Sequence, residues 1–174
     1  MSKCRKRVIY WLFLVGISLA GGIIADLSLR TEAFPIPIRF LGLAGMILAH
    51  FPLKRSGKLL SLLGESKEWG CTTRLVTGDI YQCVRHPHHM AVGIFMPSFG
   101  LLIGHIWSFL LISITQWMWI AAFLFLVEEK ELVKNFGEEY KAYRRKVPML
   151  FPKPLCVLHV LAKPIGVAKN GLEY

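Results

Sequence analysis

MAVGIFMPSFGLLIGHIWSFLLISITQWMWIAAFLFLV, residues 90–127, contains no Lys, Arg, Asp or Glu. About 20 apolar residues suffice to cross the hydrocarbon of a bilayer. The stretch is therefore too long for one span, and a helical hairpin turning near Gly104-His105 fits it. Pro87 suits the first position of the leading arm, where its missing N–H leaves nothing unsatisfied. Trp107, Trp117 and Trp119 lie in the second arm, as interface markers or as packing.

Two further apolar runs precede the hairpin. VIYWLFLVGISLAGGIIA, residues 8–25, follows Lys3, Arg5, Lys6 and Arg7. A cleaved leader is the rival reading, because Ser18-Leu19-Ala20 is a small-residue site. The run continues past Ala20, however, and Gly21-Gly22 suits close helix contact in lipid. IPIRFLGLAGMILAHFPL, residues 36–53, carries Pro37 at a helix start and an Arg39 able to reach the interface. The expected fold is an all-α integral membrane protein of about four transmembrane helices. Two are N-terminal, two form the hairpin, and a cytosolic helical tail follows. The expected divisions are 1–53 (two spans), 54–152 (loop, hairpin and tail helix) and 153–174 (C-terminal tail).

Charge placement gives an orientation. The chain of 174 residues is 54% hydrophobic with a net charge of +10. Nineteen of its 21 Lys and Arg fall in three segments: the N-terminus, residues 54–89 and residues 128–174. Lys and Arg concentrate on the cytosolic side of short loops. A multi-pass protein of the plasma membrane or endoplasmic reticulum follows, with both termini cytosolic. The basic balance needs no nucleic-acid partner; membrane lipids are the expected surroundings, and oligomeric state is unreadable. Cys4, Cys71, Cys83 and Cys156 are scattered without metal-binding spacing. Four reduced thiols are expected, on the cytosolic side or in the bilayer.

In the tail, Leu132, Phe136, Tyr140 and Tyr143 recur on one face of a helix. Gly137 should bend or break that helix. Pro148, Pro152, Pro154 and Pro164 argue against a long helix beyond it. Leu155, Val157, Leu158, Val160 and Leu161 suit a segment lying on the membrane, with Lys163 and Lys169 meeting anionic lipid.

The chemistry concentrates at the mouth of the hairpin, in Arg85-His86-Pro87-His88-His89. Ionisable groups beside lipid are costly and mark function or pairing. Arg85, His86, His88 and His89 offer donors to a carboxylate or phosphate. Glu128 and Glu129, directly after the charge-free stretch, suit a cation. Gly78 and Tyr81 suggest a tight turn and an aromatic ring for stacking. A zwitterionic ligand with a flat ring suits the set. Simpler readings remain beside it: Arg85 as an interface anchor, a histidine as a helix cap, Glu128-Glu129 as the start of a solvated tail, and the tyrosines as packing. Pro87 and the crowding of neighbours make His86, His88 and His89 a poor metal set, so no metal is expected.

LVTGDIYQCVRHPHH, residues 75–89, resembles the L-V-x-x-G-x-Y-x-x-x-R-H-P-x-Y motif of the isoprenylcysteine carboxyl methyltransferase family. EEKELVKNFGEEYKAYRRKVPMLFP, residues 128–152, resembles that family's E-E…F-G-x-x-Y-x-x-Y…V-P…P segment. The likeness covers roughly residues 66–152, and membrane phospholipid methyltransferases share the architecture. It implies S-adenosylmethionine as cofactor. Thr73, Arg74, Leu75, Val76, Tyr81, His86, Pro87, His88, His89 and Glu128 stand at cofactor-contacting positions. Arg85 and Glu129 are expected at the substrate. His86, His89 and Glu128 are the expected catalytic groups, either histidine serving as base for a protonated acceptor. His89 stands where the family has tyrosine, Ala91 where it has glycine, and Leu124 where it has a substrate-linked arginine. These departures imply a retained cofactor and an altered acceptor, lipid-like or small and apolar: a prenylcysteine carboxylate, a phospholipid amine or a thiol. The rivals are an NADPH-dependent membrane reductase on a related scaffold and a non-catalytic binding or assembly protein with a degenerate site.

Overall fold

A computed structural model describes residues 3–64, 73–152, 154–163 and 165, with the side chains of residues 3 and 4 also outside the description. Among the described residues all regular structure is helical. The helices are α1 (Lys3–Leu29), α2 (Ile36–Leu63), α3 (Pro87–Ile103), α4 (Ile106–Phe123), α5 (Glu129–Lys146) and α6 (Pro154–Leu161). A 3₁₀ turn, Asp79–Gln82, precedes α3, and a π turn, Leu124–Glu128, joins α4 to α5.

Three helical stretches are long and apolar enough to cross a membrane: Arg5–Leu29, Ile36–Leu63 and Ile106–Lys146. In the last, the charge-free part ends at Val127, so α5 lies beyond the spanning segment. The 17 residues of α3 rise about 26 Å, near the lower limit for a span. Phe13, Ile24 and Leu27 of α1 and Phe40, Leu41 and Leu48 of α2 are all more than half exposed. A water-soluble protein seldom bares so much contiguous apolar surface; lipid makes it costless. This is an integral membrane protein.

Local sequence sets the helix ends. Pro87 opens α3, as expected. Gly104 takes φ +89° in the turn between α3 and α4, a backbone state that glycine enters freely. The second run does not stop at Leu53: α2 continues through Pro52 to Leu63.

The chain forms two compact units that interleave along the sequence. The first comprises Met1–His50 and Val92–Glu128. Here α1 packs along α4. A Cβ on Gly22 would stand 2.6 Å from the Ser108 Cα, so only glycine admits this approach. Trp11 Nε1 donates to Gln116 Oε1 at 2.9 Å. Asp26, one residue past the apolar run, closes the N-terminus of α4. It accepts from the Trp107 N–H at 3.0 Å, the Ser108 N–H at 2.9 Å, the Ser108 hydroxyl at 2.6 Å and the Thr31 hydroxyl at 2.7 Å. The first N–H groups of a helix have no partner within it, and a carboxylate supplies one from a neighbouring helix.

The second unit comprises Phe51–Ala91 and Glu129–Tyr174. Its core gathers Leu59, Val76, Ile80, Tyr81, Cys83 and Val160, with Cys156, Val157 and Leu161 packed against it. Cys83 and Cys156 form a disulfide, which corrects the expectation of reduced thiols at these two positions. They are 73 residues apart, and folding alone brings their Cα atoms to 5.6 Å. Cys71 and the side chain of Cys4 lie outside the described residues, as does Lys169. Helix α6 turns Val160 inward and leaves Leu155 and Leu158 exposed. The expected break at Gly137 is present, with φ 55° and ψ −127° inside α5.

Candidate functional site

The second unit holds eleven of the twelve residues expected at a site; Glu128 closes the first unit. The loop entering α3 is built from Asp79 upward. Asp79 has φ +59°, a conformation that Asp tolerates better than most residues. Arg55 grips its carboxylate with two bonds, Nε to Oδ1 at 2.6 Å and Nη2 to Oδ2 at 2.7 Å. The same guanidinium donates to the Lys163 carbonyl at 2.6 Å, tying the segment after α6 to this turn. Ile80 and Tyr81 are thereby directed into the core, where the Tyr81 hydroxyl lies 3.5 Å from the Ser56 carbonyl.

The Arg85-His86-Pro87 turn then docks on the segment after α5. The Arg85 N–H donates to the Pro148 carbonyl at 2.9 Å and the His86 N–H to the Met149 carbonyl at 3.2 Å. The first helical bond of α3 runs from the Met90 N–H to the His86 carbonyl. With its backbone fixed on both sides, His86 places its ring inside the unit, 4% exposed.

Glu129 is the hub of this arrangement. Its Oε1 accepts from His86 Nε2 at 2.8 Å and from the Tyr140 hydroxyl. Arg85 Nη2 lies 3.5 Å from the same oxygen, and Arg144 Nη1 lies 3.7 Å from Oε2. Burial pushes the Glu129 carboxyl up. The hydrogen bonds from His86 and Tyr140 and the charge of Arg85 outweigh it and hold the group below the ordinary carboxylate value. Arg85 also donates from Nη1 to the Arg144 carbonyl at 3.3 Å. Its buried Nε has no hydrogen-bond partner among the described residues. The Tyr143 hydroxyl donates to the Tyr81 carbonyl, a second link between α5 and the loop.

The remaining expected residues differ in depth. Val76 is buried in the core, Leu75 is half-buried, and Thr73 and Arg74 are exposed. His88 and His89 are half-buried on the first turn of α3; the His89 ring stands edge-on to His86, centroids 6.0 Å apart. Glu128 ends the π turn, a local widening that often accompanies functional positions. Leu124, at the other end of that turn, is fully buried.

Sequence reasoning missed Tyr140 and Arg144 as partners of Glu129. The break at Gly137 falls between Glu129 and Tyr140, so helical spacing does not carry this contact and the sequence gives no local signal for it. The Arg55–Asp79 pair left no signal either across 24 positions.

Comparison with known proteins bears on this geometry. Residues 39–139 match the model of the phospholipid methyltransferase family, a stretch that contains Arg85-His86-Pro87, α3, α4 and Glu128-Glu129. The chain belongs to that family. Among curated relatives, the protein-S-isoprenylcysteine O-methyltransferase of Schizosaccharomyces pombe is 41% identical over 80 residues, covering 45% of this chain and 33% of the relative. The methanethiol S-methyltransferase of Pseudomonas deceptionensis is 33% identical over 110 residues, 63% of this chain and 39% of the relative. That of Crocosphaera subtropica is 38% identical over 88 residues, 51% of this chain and 32% of the relative. The matched stretch thus spans about a third of the length of these relatives. Family membership places the Arg85–His86–Glu129 hub within the segment that this phospholipid methyltransferase family has in common.

Proposed function

We propose that this protein is a membrane methyltransferase that draws its methyl group from S-adenosylmethionine and passes it to a small or lipid-like acceptor at the cytosolic face. The observation carrying this reading is the Arg85-His86-Pro87 turn docked on Glu129 within the family-matched stretch. The donor set suits the cofactor. The buried Arg85 Nε–H lacks an acceptor among the described residues, and an anionic group such as a carboxylate would satisfy it. Glu128 supplies a carboxylate for the ligand ammonium. Thr73, Arg74, Leu75, Val76, Tyr81, His86, Pro87, His88 and His89 form the surrounding loop and first turn.

When bound, S-adenosylmethionine supplies a methyl group on a positively charged sulfur, already activated for in-line displacement. The protein's task is then to orient the partners and exclude water. Arg85 orients an anionic group, Glu128 an ammonium, and a histidine of the loop accepts a proton where the acceptor carries one. The relatives named above point to thiol and carboxylate acceptors. Leu124 removes a cationic partner from the carboxylate reading and favours an uncharged or thiol acceptor.

The test uses the purified protein in lipid nanodiscs with methyl-labelled S-adenosylmethionine. Three acceptors are offered separately: a small alkyl thiol, a prenylcysteine and phosphatidylethanolamine. Label transferred to one of them supports the reading. No transfer to any of the three, in a sample that binds the cofactor, contradicts it.

A further inference from the structure

Helix α6 is apolar on both of its sides. The inner side carries Cys156, Val157, Val160 and Leu161, which join the core built on Leu59, Val76 and Ile80. The outer side carries Leu155 and Leu158, 81% and 64% exposed, with His159 and Ala162 exposed beside them. Positions 155, 158, 159 and 162 follow the spacing of one helix face. The turn reaches Ala162, whose N–H donates to the Leu158 carbonyl at 3.0 Å. A helix bathed in water carries polar side chains along its outer stripe, and one that is apolar all round is normally covered. Here the outer stripe has a single polar side chain, His159.

The outer face is also prevented from turning inward. Cys156 is bonded to Cys83 near one end of α6, and past the other end the Lys163 carbonyl accepts from Arg55 Nη1 at 2.6 Å. The two leucines are thus held outward by attachments on either side of them.

Depth and charge point to what covers them. The apolar run of α2 ends at Leu53, and Arg55 stands two residues, about 3 Å of helix, beyond it. The end of α6 is therefore fastened where the hydrocarbon stops and the headgroups begin. Lys163 is exposed, as are Lys54 and Lys58 on the same stretch of α2. An apolar face accompanied by lysines is the pattern of a helix lying at a bilayer surface, with the protein core here taking the place of the usual polar side. A second copy of the chain suits the face poorly. A stable interface needs about 800 Å² from each partner, whereas this patch is two leucines and an alanine on a helix about 12 Å long.

We propose that α6 lies in the headgroup layer of the membrane that the protein spans, with Leu155 and Leu158 against the upper acyl chains and Lys163 among the phosphates of anionic phospholipids. Through the Cys83–Cys156 bond the bilayer surface then steadies the turn that leads, two residues on, into Arg85-His86. The proposal stands apart from the methyltransferase reading, and either can fail without the other.

The test uses the wild-type, full-length protein in nanodiscs of phosphatidylcholine and phosphatidylglycerol. Two photoreactive probes are compared: a phospholipid with a diazirine in the upper part of its acyl chain, and a water-soluble diazirine. Adducts are mapped by mass spectrometry. Leu155 and Leu158 are expected to take the lipid probe and to be shielded from the aqueous one. Labelling by the aqueous probe shows a face bathed in water, labelling by neither shows a face covered by protein, and each overturns the proposal without needing a variant. Leu158→Glu should lower lipid labelling of Leu155 about tenfold, the factor for withdrawing one leucine from an apolar phase; unchanged labelling in that variant counts against the proposal. Replacing phosphatidylglycerol by phosphatidylcholine should lower it about fivefold, the factor for one lysine at an anionic surface. Labelling indifferent to that exchange overturns the assignment of Lys163 to anionic headgroups.

Discussion

Replacing Asp26 by alanine removes the acceptor on which α4 begins. Four donors lose this acceptor: the amides of Trp107 and Ser108 and the hydroxyls of Ser108 and Thr31, the last of which also lies 3.3 Å from His105 Nδ1. Ser108 is 1% exposed, so water does not substitute there. A buried donor left unmade costs about 1–3 kcal/mol. The Ser108 amide therefore accounts for about 2 kcal/mol, and loss of the anion from the helix N-terminus adds up to ~1 kcal/mol. Relief from burying a charge offsets part of this, while the half-exposed Trp107 amide adds a smaller amount. The net expectation is about 3 kcal/mol, or roughly 6–12 °C in apparent Tm for a chain of this size. Asp26→Asn keeps an acceptor oxygen but no charge and should fall about midway. Both are read by intrinsic tryptophan fluorescence during heating of the detergent-purified protein. An Asp26→Ala variant melting within about 2 °C of wild type would refute the capping argument. An Asp26→Asn variant indistinguishable from wild type would show that the charge contributes nothing.

Three further outcomes are expected. Gly22→Val should force α1 away from α4, since even a Cβ meets the Ser108 backbone at 2.6 Å; a loss of about 1–3 kcal/mol, measured by the same melting assay, is the expected size. Peptide mapping under non-reducing conditions should recover Cys83 linked to Cys156, and Cys83→Ser should lower stability by about 2–5 kcal/mol. The Glu129 carboxyl lies below its ordinary value, so its contribution is complete above about pH 4.3 and is lost as pH falls through the lowered native value. The Tm gap between wild type and Glu129→Gln should therefore be constant near neutrality and close on acidification; a gap that widens in acid contradicts the assignment.

Features encoded by a few neighbouring residues were legible in the sequence. The charge-free run of residues 90–127 gave the hairpin, and Gly104 makes the turn with the positive φ that few other residues tolerate. Pro87 and Gly137 mark a helix start and a helix break because each changes the backbone at its own position. Gly21-Gly22 announced a close approach, although the partner, Ser108, came only with the fold. Features that depend on long-range closure were hidden. The Cys83–Cys156 bond and the Arg55–Asp79 pair join positions whose spacing carries no local signature. Asp26 read as the edge of an apolar run, since nothing near it shows which helix N-terminus it will meet. The apolar run ends at Leu53, but α2 continues ten residues further to Leu63 with Pro52 inside it, and the polar residues beyond the run gave no sign of that extension. At the site, Arg85 and His86 stood out by their chemistry beside lipid, while Tyr140 passed as packing because its ring face and its hydroxyl serve different partners.

The most direct test of the central claim is calorimetric binding of S-adenosylmethionine to the detergent-purified protein, with Glu128→Gln and a surface control, Lys134→Gln, measured beside it. The account expects micromolar binding by wild type and by Lys134→Gln, and a loss of at least tenfold in Glu128→Gln with its melting temperature preserved. Absence of binding by a wild-type sample that melts cooperatively would contradict it, leaving the Arg85-His86-Pro87 turn and its Glu129 anchor as scaffold alone.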